Sequence, residues 1–137
     1  MLSFMTQMRV SEAAALLGVS PDTVRRAIES GRLPATKDGA GRTVVEGRDV
    51  ATLAQQHAQA HPAAVGSVGS SSARNQMRGI VTRVVSDRVM SQVDVQAGPF
   101  RLVSLLSTEA VQELGLEPGS VVVASVKATH VTIAAPS

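Results

Sequence analysis

The apolar residues change their spacing part-way along the chain. In the first half they fall at helical intervals: Val24, Ala27 and Ile28 share one face of a segment whose other face carries Thr23, Arg25 and Arg26. Local punctuation agrees. Ser11 can cap a helix that runs to Leu17 and stops at Gly18. Ser20 can cap a second helix, with Pro21 at its first position and Asp22 in its first turn. Two short helices joined through Gly18-Val19-Ser20 predict a helix-turn-helix. Residues 33–37 and 43–45 then flank Asp38-Gly39-Ala40-Gly41-Arg42, a hairpin with a glycine-rich tip. A third helix over residues 48–57 carries Val50, Leu53 and Ala54 on one face.

Beyond residue 78 the pattern is that of strands. Residues 79–85 form one, Gln92-Val93-Asp94-Val95-Gln96 alternates as another, and Ala97-Gly98-Pro99 turns the chain into a third over residues 100–106. A short helix over residues 108–114 ends at Gly115. Pro118-Gly119 then leads into a strand over residues 121–126, and Val131-Thr132-Ile133 closes the sheet. Between the halves, the uncharged run Pro62-Ala63-Ala64-Val65-Gly66-Ser67-Val68-Gly69-Ser70-Ser71 cannot bury enough surface to hold a fold. The expectation is an α+β chain in three parts. Residues 1–60 form a small helical, winged helix-turn-helix domain, and residues 61–71 a flexible linker. Residues 72–137 form a five-stranded OB-like β-barrel with one short helix.

Composition narrows the functions open to such a chain. Only Phe4 and Phe100 are aromatic, so the core must be Val, Leu, Ile and Ala, and stacking recognition of single-stranded nucleic acid, which needs exposed aromatic rings, is not expected. The pI of 9.9 overstates basicity, because without Tyr or Cys little titrates between histidine and lysine. Residues 1–61 hold seven basic and six acidic groups, and residues 72–137 hold six and five. DNA binding would therefore rest on local placement of charge and on several copies. Zero cysteines exclude disulfides and thiolate metal sites. Met1 to Val10 is too short and too weakly charged for a signal peptide, and no apolar run reaches a membrane span. A cytoplasmic protein without membrane contact is expected.

The chemistry concentrates in two short runs. Ser72-Ala73-Arg74-Asn75-Gln76 offers backbone N–H groups, a hydroxyl and a guanidinium. Lys127-Ala128-Thr129 adds an ammonium and a second hydroxyl. Donors and positive charge without a carboxylate suit a small, fully deprotonated oxyanion. The residues alone specify no more than an anion. Lys127 is one of two lysines among thirteen basic residues, and a compact ammonium suits a tetrahedral oxyanion better than a planar fork.

Both runs stand as they do in the Mop or molbindin family (the TOBE-type domain), which the chain resembles from about Ser72 to Ala134. The resemblance implies an OB-like fold and molybdate or tungstate as ligand, with neither metal cation nor organic cofactor. It carries ligand contact onto Ser72, Ala73, Arg74, Asn75, Lys127, Ala128 and Thr129, and onto Ser107 from a neighbouring subunit. Ser107 also sits where a helix begins, which would leave N–H groups facing the anion. The family often has Thr at position 107 and Ser at position 110. Here Ser107 keeps the hydroxyl and Ala110 loses one. The family's assemblies imply a homo-oligomer, a dimer or a trimer of dimers.

Glu12 to Ser20, Thr23-Val24-Arg25-Arg26, Ser30-Gly31-Arg32-Leu33-Pro34 and Gly41-Arg42 resemble the excisionase or MerR-like winged helix-turn-helix family over residues 9–57. This implies double-stranded DNA as partner, with the second helix in the major groove and the hairpin as wing. Ser20, Thr23, Arg25 and Arg26 on that helix, with Lys37 and Arg42 on the hairpin, are the candidate contacts.

No nucleophile motif, carboxylate pair or phosphate loop stands in a fitting context, so no enzyme is expected. His57, His61 and His130 are too scattered to share a metal. The reading is a molybdate- or tungstate-binding transcriptional regulator. Its alternative is a molybdate store whose N-terminal module binds protein or is inert.

Overall fold

The computed structural model describes residues 6–60 and 71–136. The chain divides into two compact units, Met1–Pro62 and Ala63–Ser137. The linker expected over residues 61–71, apart from Ser71, lies outside the described residues, as do Phe4 and His61.

The first unit runs β1 (Gln7–Arg9), α1 (Val10–Leu17), α2 (Pro21–Glu29), β2 (Ala35–Lys37), β3 (Thr43–Glu46) and α3 (Gly47–Ala60). Ser20 caps α2 as expected, its Oγ accepting from Thr23 N at 3.2 Å. Ser11 does not cap α1. The cap position is Arg9 and the helix begins at Val10, because Val10 is needed in the core and β1 carries the chain to that point. The short β1, absent from the sequence reading, pairs antiparallel with β3, and β2 pairs with the other side of β3. Val10, Ala13, Ala14, Val24, Ala27, Leu33, Val45 and Val50 form the core, with Met8, Leu17, Ile28 and Leu53 packed against it. α3 extends beyond the expected residues 48–57 at both ends.

The second unit is built on β4 (Asn75–Ser86), β5 (Met90–Ala97), β6 (Phe100–Ser107), α4 (Thr108–Leu114) and β7 (Val121–Val126). All pairings are antiparallel, in the order β6-β5-β4-β7. β4 serves two partners: its residues 75–80 pair with β7 and its residues 80–86 with β5. Two features curl the sheet at that exchange. A bulge lies between Val81 and Arg83, and Gly79 passes so close to β5 that a Cβ there would stand 2.6 Å from Val95 Cγ1 and 2.8 Å from the Gln96 carbonyl oxygen. β5 and β6 are joined by Gly98-Pro99, Gly98 taking the positive φ (57°) that a two-residue hairpin loop requires.

The fifth strand does not form. Among the described residues the sheet has four strands, and Val131, Thr132 and Ile133 follow a 3-10 turn (Ala128–His130) without joining a ladder. The reason is the lack of a partner: Ile133 is 90% exposed and Val131 also faces solvent. The result is a half-barrel. Val81, Val93, Val95 and Val111 form a small core, and an apolar groove of about 540 Å³, lined by Val93, Val95, Leu102, Leu106, Leu116 and Val122, stays open. Among the described residues, no helix is long and apolar enough to cross a membrane.

Candidate functional site

The β4–β7 ladder brings the two donor-rich runs together. Its last rung pairs Asn75 with Val126, and Asn75 Nδ2 donates to the Val126 carbonyl at 3.0 Å. Arg74 precedes that rung on one strand and Lys127 follows it on the other, so both cations leave the sheet at the same end. Arg74 and Lys127 are exposed, and among the described residues neither forms an ion pair. Ser72, Ala128 and Thr129 lie exposed beside them. Not every expected donor is available. Ala73 N already donates to Ser71 Oγ at 3.1 Å, and Asn75 commits one amide proton to the ladder. What remains is two cations and two hydroxyls at one strand end.

Ser107 is not part of that cluster within one chain. It pairs with Met90 at the opposite end of the sheet, next to the rung joining Ser86 and Ser91. The twelve residues of β4 separate the two places, a contour of about 40 Å before curling. Ser107 Oγ accepts from Ala110 N at 3.1 Å, which takes one lone pair and leaves its hydroxyl proton to be donated. Two of the N–H groups expected here are already committed. Thr108 N donates to Val89 O at 2.9 Å, and Ala110 N is occupied by Ser107 itself. Ser107 keeps its hydroxyl proton to offer.

Sequence reading missed a hydroxyl cluster behind Ser107. Ser86 Oγ and Ser91 Oγ are 2.7 Å apart, Ser91 Oγ and Thr108 Oγ1 2.8 Å, and Thr108 Oγ1 donates to the Asp87 carbonyl at 2.8 Å. Ser91 is 1% exposed. The signal was present: Ser91, Val93, Val95 and Ala97 occupy alternate, buried positions of β5, and a serine on the core face must find a partner. Asp87 Oδ1 holds Val89 N and Met90 N, both at 2.8 Å. These backbone bonds, Met90 first and Val89 second, keep its carboxyl below the usual value of 3.8. On β5, Asp94 is buried beneath Arg101, which reaches Asp94 Oδ2 at 2.7 Å through Nη2, while Gln92 donates to Oδ1 at 3.0 Å. Hydrogen bonds from Gln92 and then Arg101 hold that carboxyl down as well.

In the first unit the candidate DNA contacts fall on two exposed elements, α2 and the β2–β3 hairpin. Ser20 and Thr23 share a hydroxyl contact of 2.9 Å at the start of α2. Arg25 and Arg26 are exposed further along it. Two of the four cations already hold carboxylates: Arg25 meets Asp22 at 3.0 Å and Arg42 meets Asp38 at 3.0 Å. Asp38 Oδ1 also accepts from Ala40 N and Arg42 N, both at 2.9 Å, which fixes the hairpin tip. Lys37 Nζ donates to Thr43 Oγ1 at 2.8 Å across the hairpin. His57 lines a small cavity of about 40 Å³ with Leu17, Val24 and Leu53. Among the described residues, no three His, Asp or Glu side chains gather so as to hold a metal ion.

Both halves of the chain match known families. A family described as TOBE domain matches residues 71–133, and one described as helix-turn-helix domain matches residues 8–58. Molybdenum-pterin-binding protein 2 of Clostridium pasteurianum is 39% identical over 67 residues, which are 48% of this chain and 98% of that protein. Molybdenum-pterin-binding protein 3 of the same organism is 36% identical over the same shares. Among solved structures, a molybdate binding protein from Sporomusa ovata is 30% identical with a TM-score of 0.47, covering 48% of this chain and 98% of its own. MopII from Clostridium pasteurianum is 37% identical with a TM-score of 0.46, covering 48% and 100%. The chain belongs to the Mop-type TOBE family through its second half and carries an excisionase-like helix-turn-helix domain in its first.

Proposed function

We propose that this chain is a cytoplasmic transcriptional regulator, a binding protein and not an enzyme. In this reading the barrel unit holds molybdate or tungstate between copies and the helix-turn-helix unit holds DNA. One observation carries it: the Asn75–Val126 rung sets Arg74 and Lys127, neither paired with a carboxylate among the described residues, at one end of the sheet. Two unpaired cations with Ser72 and Thr129 beside them make half of an oxyanion cradle. Ser107 of a second copy supplies the facing hydroxyl, since within one chain it stands at the far end of β4.

The same second copy completes the barrel. The tail with Val131 and Ile133 is a strand in pattern but has no ladder, and the groove beside Leu102, Leu106 and Val122 has no cover. Seating the tail of one copy along the open edge of another answers both, and burying the two side chains contributes about 1.5–3 kcal/mol each. A dimer or a trimer of dimers follows. DNA binding uses α2 in the major groove with the β2–β3 hairpin as its wing, and several copies provide the affinity that few cations per chain cannot. Anion then acts on DNA through assembly, by changing how the DNA-binding units are held together.

Calorimetric titration with molybdate, and with sulfate as control, tests the anion half. Heat for molybdate with little for sulfate is expected, and no heat for either from a folded protein would overturn it. The alternative, an oxyanion store with a protein-binding first unit, is favoured by one observation: Arg25 and Arg42 are already neutralised by Asp22 and Asp38. Retention on duplex DNA at moderate salt, changed by molybdate, decides for the regulator. No retention decides for the store.

A further inference from the structure

The hydroxyls of Ser86, Ser91 and Thr108 form a directional chain. Thr108 has one hydroxyl proton and donates it to the Asp87 carbonyl at 2.8 Å, an atom that can only accept. Toward Ser91 it is therefore the acceptor, so Ser91 Oγ donates to Thr108 Oγ1 and in turn accepts from Ser86 Oγ. Asp87 follows Ser86 directly, so the chain closes on the turn from which it starts. Three segments are stapled by it: the end of β4, the start of β5 and the residue after Ser107. A second bond from the same residue, Thr108 N to Val89 O at 2.9 Å, and the Asp87 carboxylate on Val89 N and Met90 N make the turn a rigid base. Ser91, in the middle, is almost wholly buried, where a hydroxyl without partners is strongly disfavoured.

We propose that the Ser86–Ser91–Thr108 hydroxyl chain is the positioning element of the Ser107 hydroxyl, and through it sets how well the oxyanion site discriminates molybdate from sulfate. This rests on Ser107 belonging to that site. The two anions carry the same charge and the same tetrahedral shape, so discrimination must come from donor positions held to a fraction of an ångström. Arg74 and Lys127 sit on long, exposed side chains and adapt to either size. Ser107 is short, its lone pair is fixed by Ala110 N, and its neighbour Thr108 is bonded at both backbone and side chain. It is the donor least able to follow a smaller anion.

The test compares Thr108→Val, which keeps the shape and removes the hydroxyl, with Thr108→Ser, which keeps the hydroxyl. In the full chain, molybdate and sulfate are titrated by calorimetry, with assembly mass and thermal midpoint followed in parallel. Thr108→Val is expected to bind molybdate about tenfold more weakly and to bring the molybdate-to-sulfate affinity ratio toward one, at unchanged assembly mass. Thr108→Ser is expected to stay within about twofold of the natural chain on both counts. If Thr108→Val does not fold, Ser91→Ala, which leaves the Thr108–Asp87 bond in place, must show the same loss of ratio in smaller degree. An unchanged ratio in the folded variants overturns the proposal. So does a loss of molybdate affinity that Thr108→Ser shares and that follows the assembly mass. If the natural chain itself binds no molybdate, the oxyanion reading has failed first and this inference falls with it.

Discussion

In the first unit, α1, α2, α3 and a three-stranded sheet all send residues to one core, and Ala13, Val24, Leu33 and Val45 are nearly water-free. The second unit is of similar length but buries only Val81, Val93, Val95 and Val111 in its core cluster, and leaves a groove and an unpaired tail. Their cations differ in the opposite sense. Among the described residues, Arg25 and Arg42 of the closed unit hold carboxylates of their own chain, while in the open unit Arg101 holds Asp94 and the candidate ligands Arg74 and Lys127 hold none. A unit whose apolar residues close on one core internally needs no neighbour to cover them and meets others through its surface. The open unit leaves an apolar groove, an unpaired tail and two exposed cations, and under the proposed function a second copy and an anion would match them.

The largest effect is expected where that incompleteness is attacked directly. Val131→Asp with Ile133→Asp changes two side chains that are exposed in the single chain, so each unit keeps its fold by circular dichroism. Light scattering should nevertheless report monomers, and molybdate heat should vanish, because about 3–6 kcal/mol of tail burial per seat is removed. Next comes Gly79→Ala. The new Cβ meets backbone at 2.8 Å, so about 3 kcal/mol of strain falls on the second unit alone. Its melting transition should drop sharply while the helical signal of the first unit persists.

Smaller still are losses of single ligands. Lys127→Ala or Arg74→Ala should weaken molybdate roughly 10- to 100-fold by calorimetry, the cost of one charged hydrogen bond, with assembly mass unchanged. On the closed unit, Arg26→Ala should lower DNA affinity and reduce the salt slope by about one, as for one lost phosphate contact. The smallest effect is acid sensitivity. Asp87 and Asp94 are both held below the usual 3.8 by hydrogen bonds in the folded unit. Their contribution is complete above that value and is lost as pH falls through the lower, folded values. The second unit's melting temperature should therefore hold steady from neutral pH to about 5 and decline below about 4, and Asp94→Asn should flatten that decline.

Much of the closed unit was legible because its signals are local. Ser20-Pro21 starts α2 where the residue pattern places it, and Gly18 ends α1 in the left-handed conformation. The start of α1 was not, because the competing signal is tertiary: Val10 is drawn into the core and Ser11 is carried inside the helix. In the open unit, β7 and α4 stand at the expected residues, with Gly115 ending the helix. Val131 and Ile133 alternate like a strand, but alternation says only that one face wants burial and not which chain provides it. The donor runs at Ser72 and Lys127 could be paired from sequence, and the Asn75–Val126 rung puts them at one strand end. The hydroxyl chain was hidden because it links residues up to 22 positions apart, Ser86 to Thr108, through a serine whose burial depends on strand register.

Native mass spectrometry of the full chain with and without molybdate tests the central claim most directly, since one spectrum counts both copies and anions. An even-numbered assembly that takes up molybdate, with monomers taking up none, is the expected result. A monomer that binds molybdate one to one would contradict a site shared between chains.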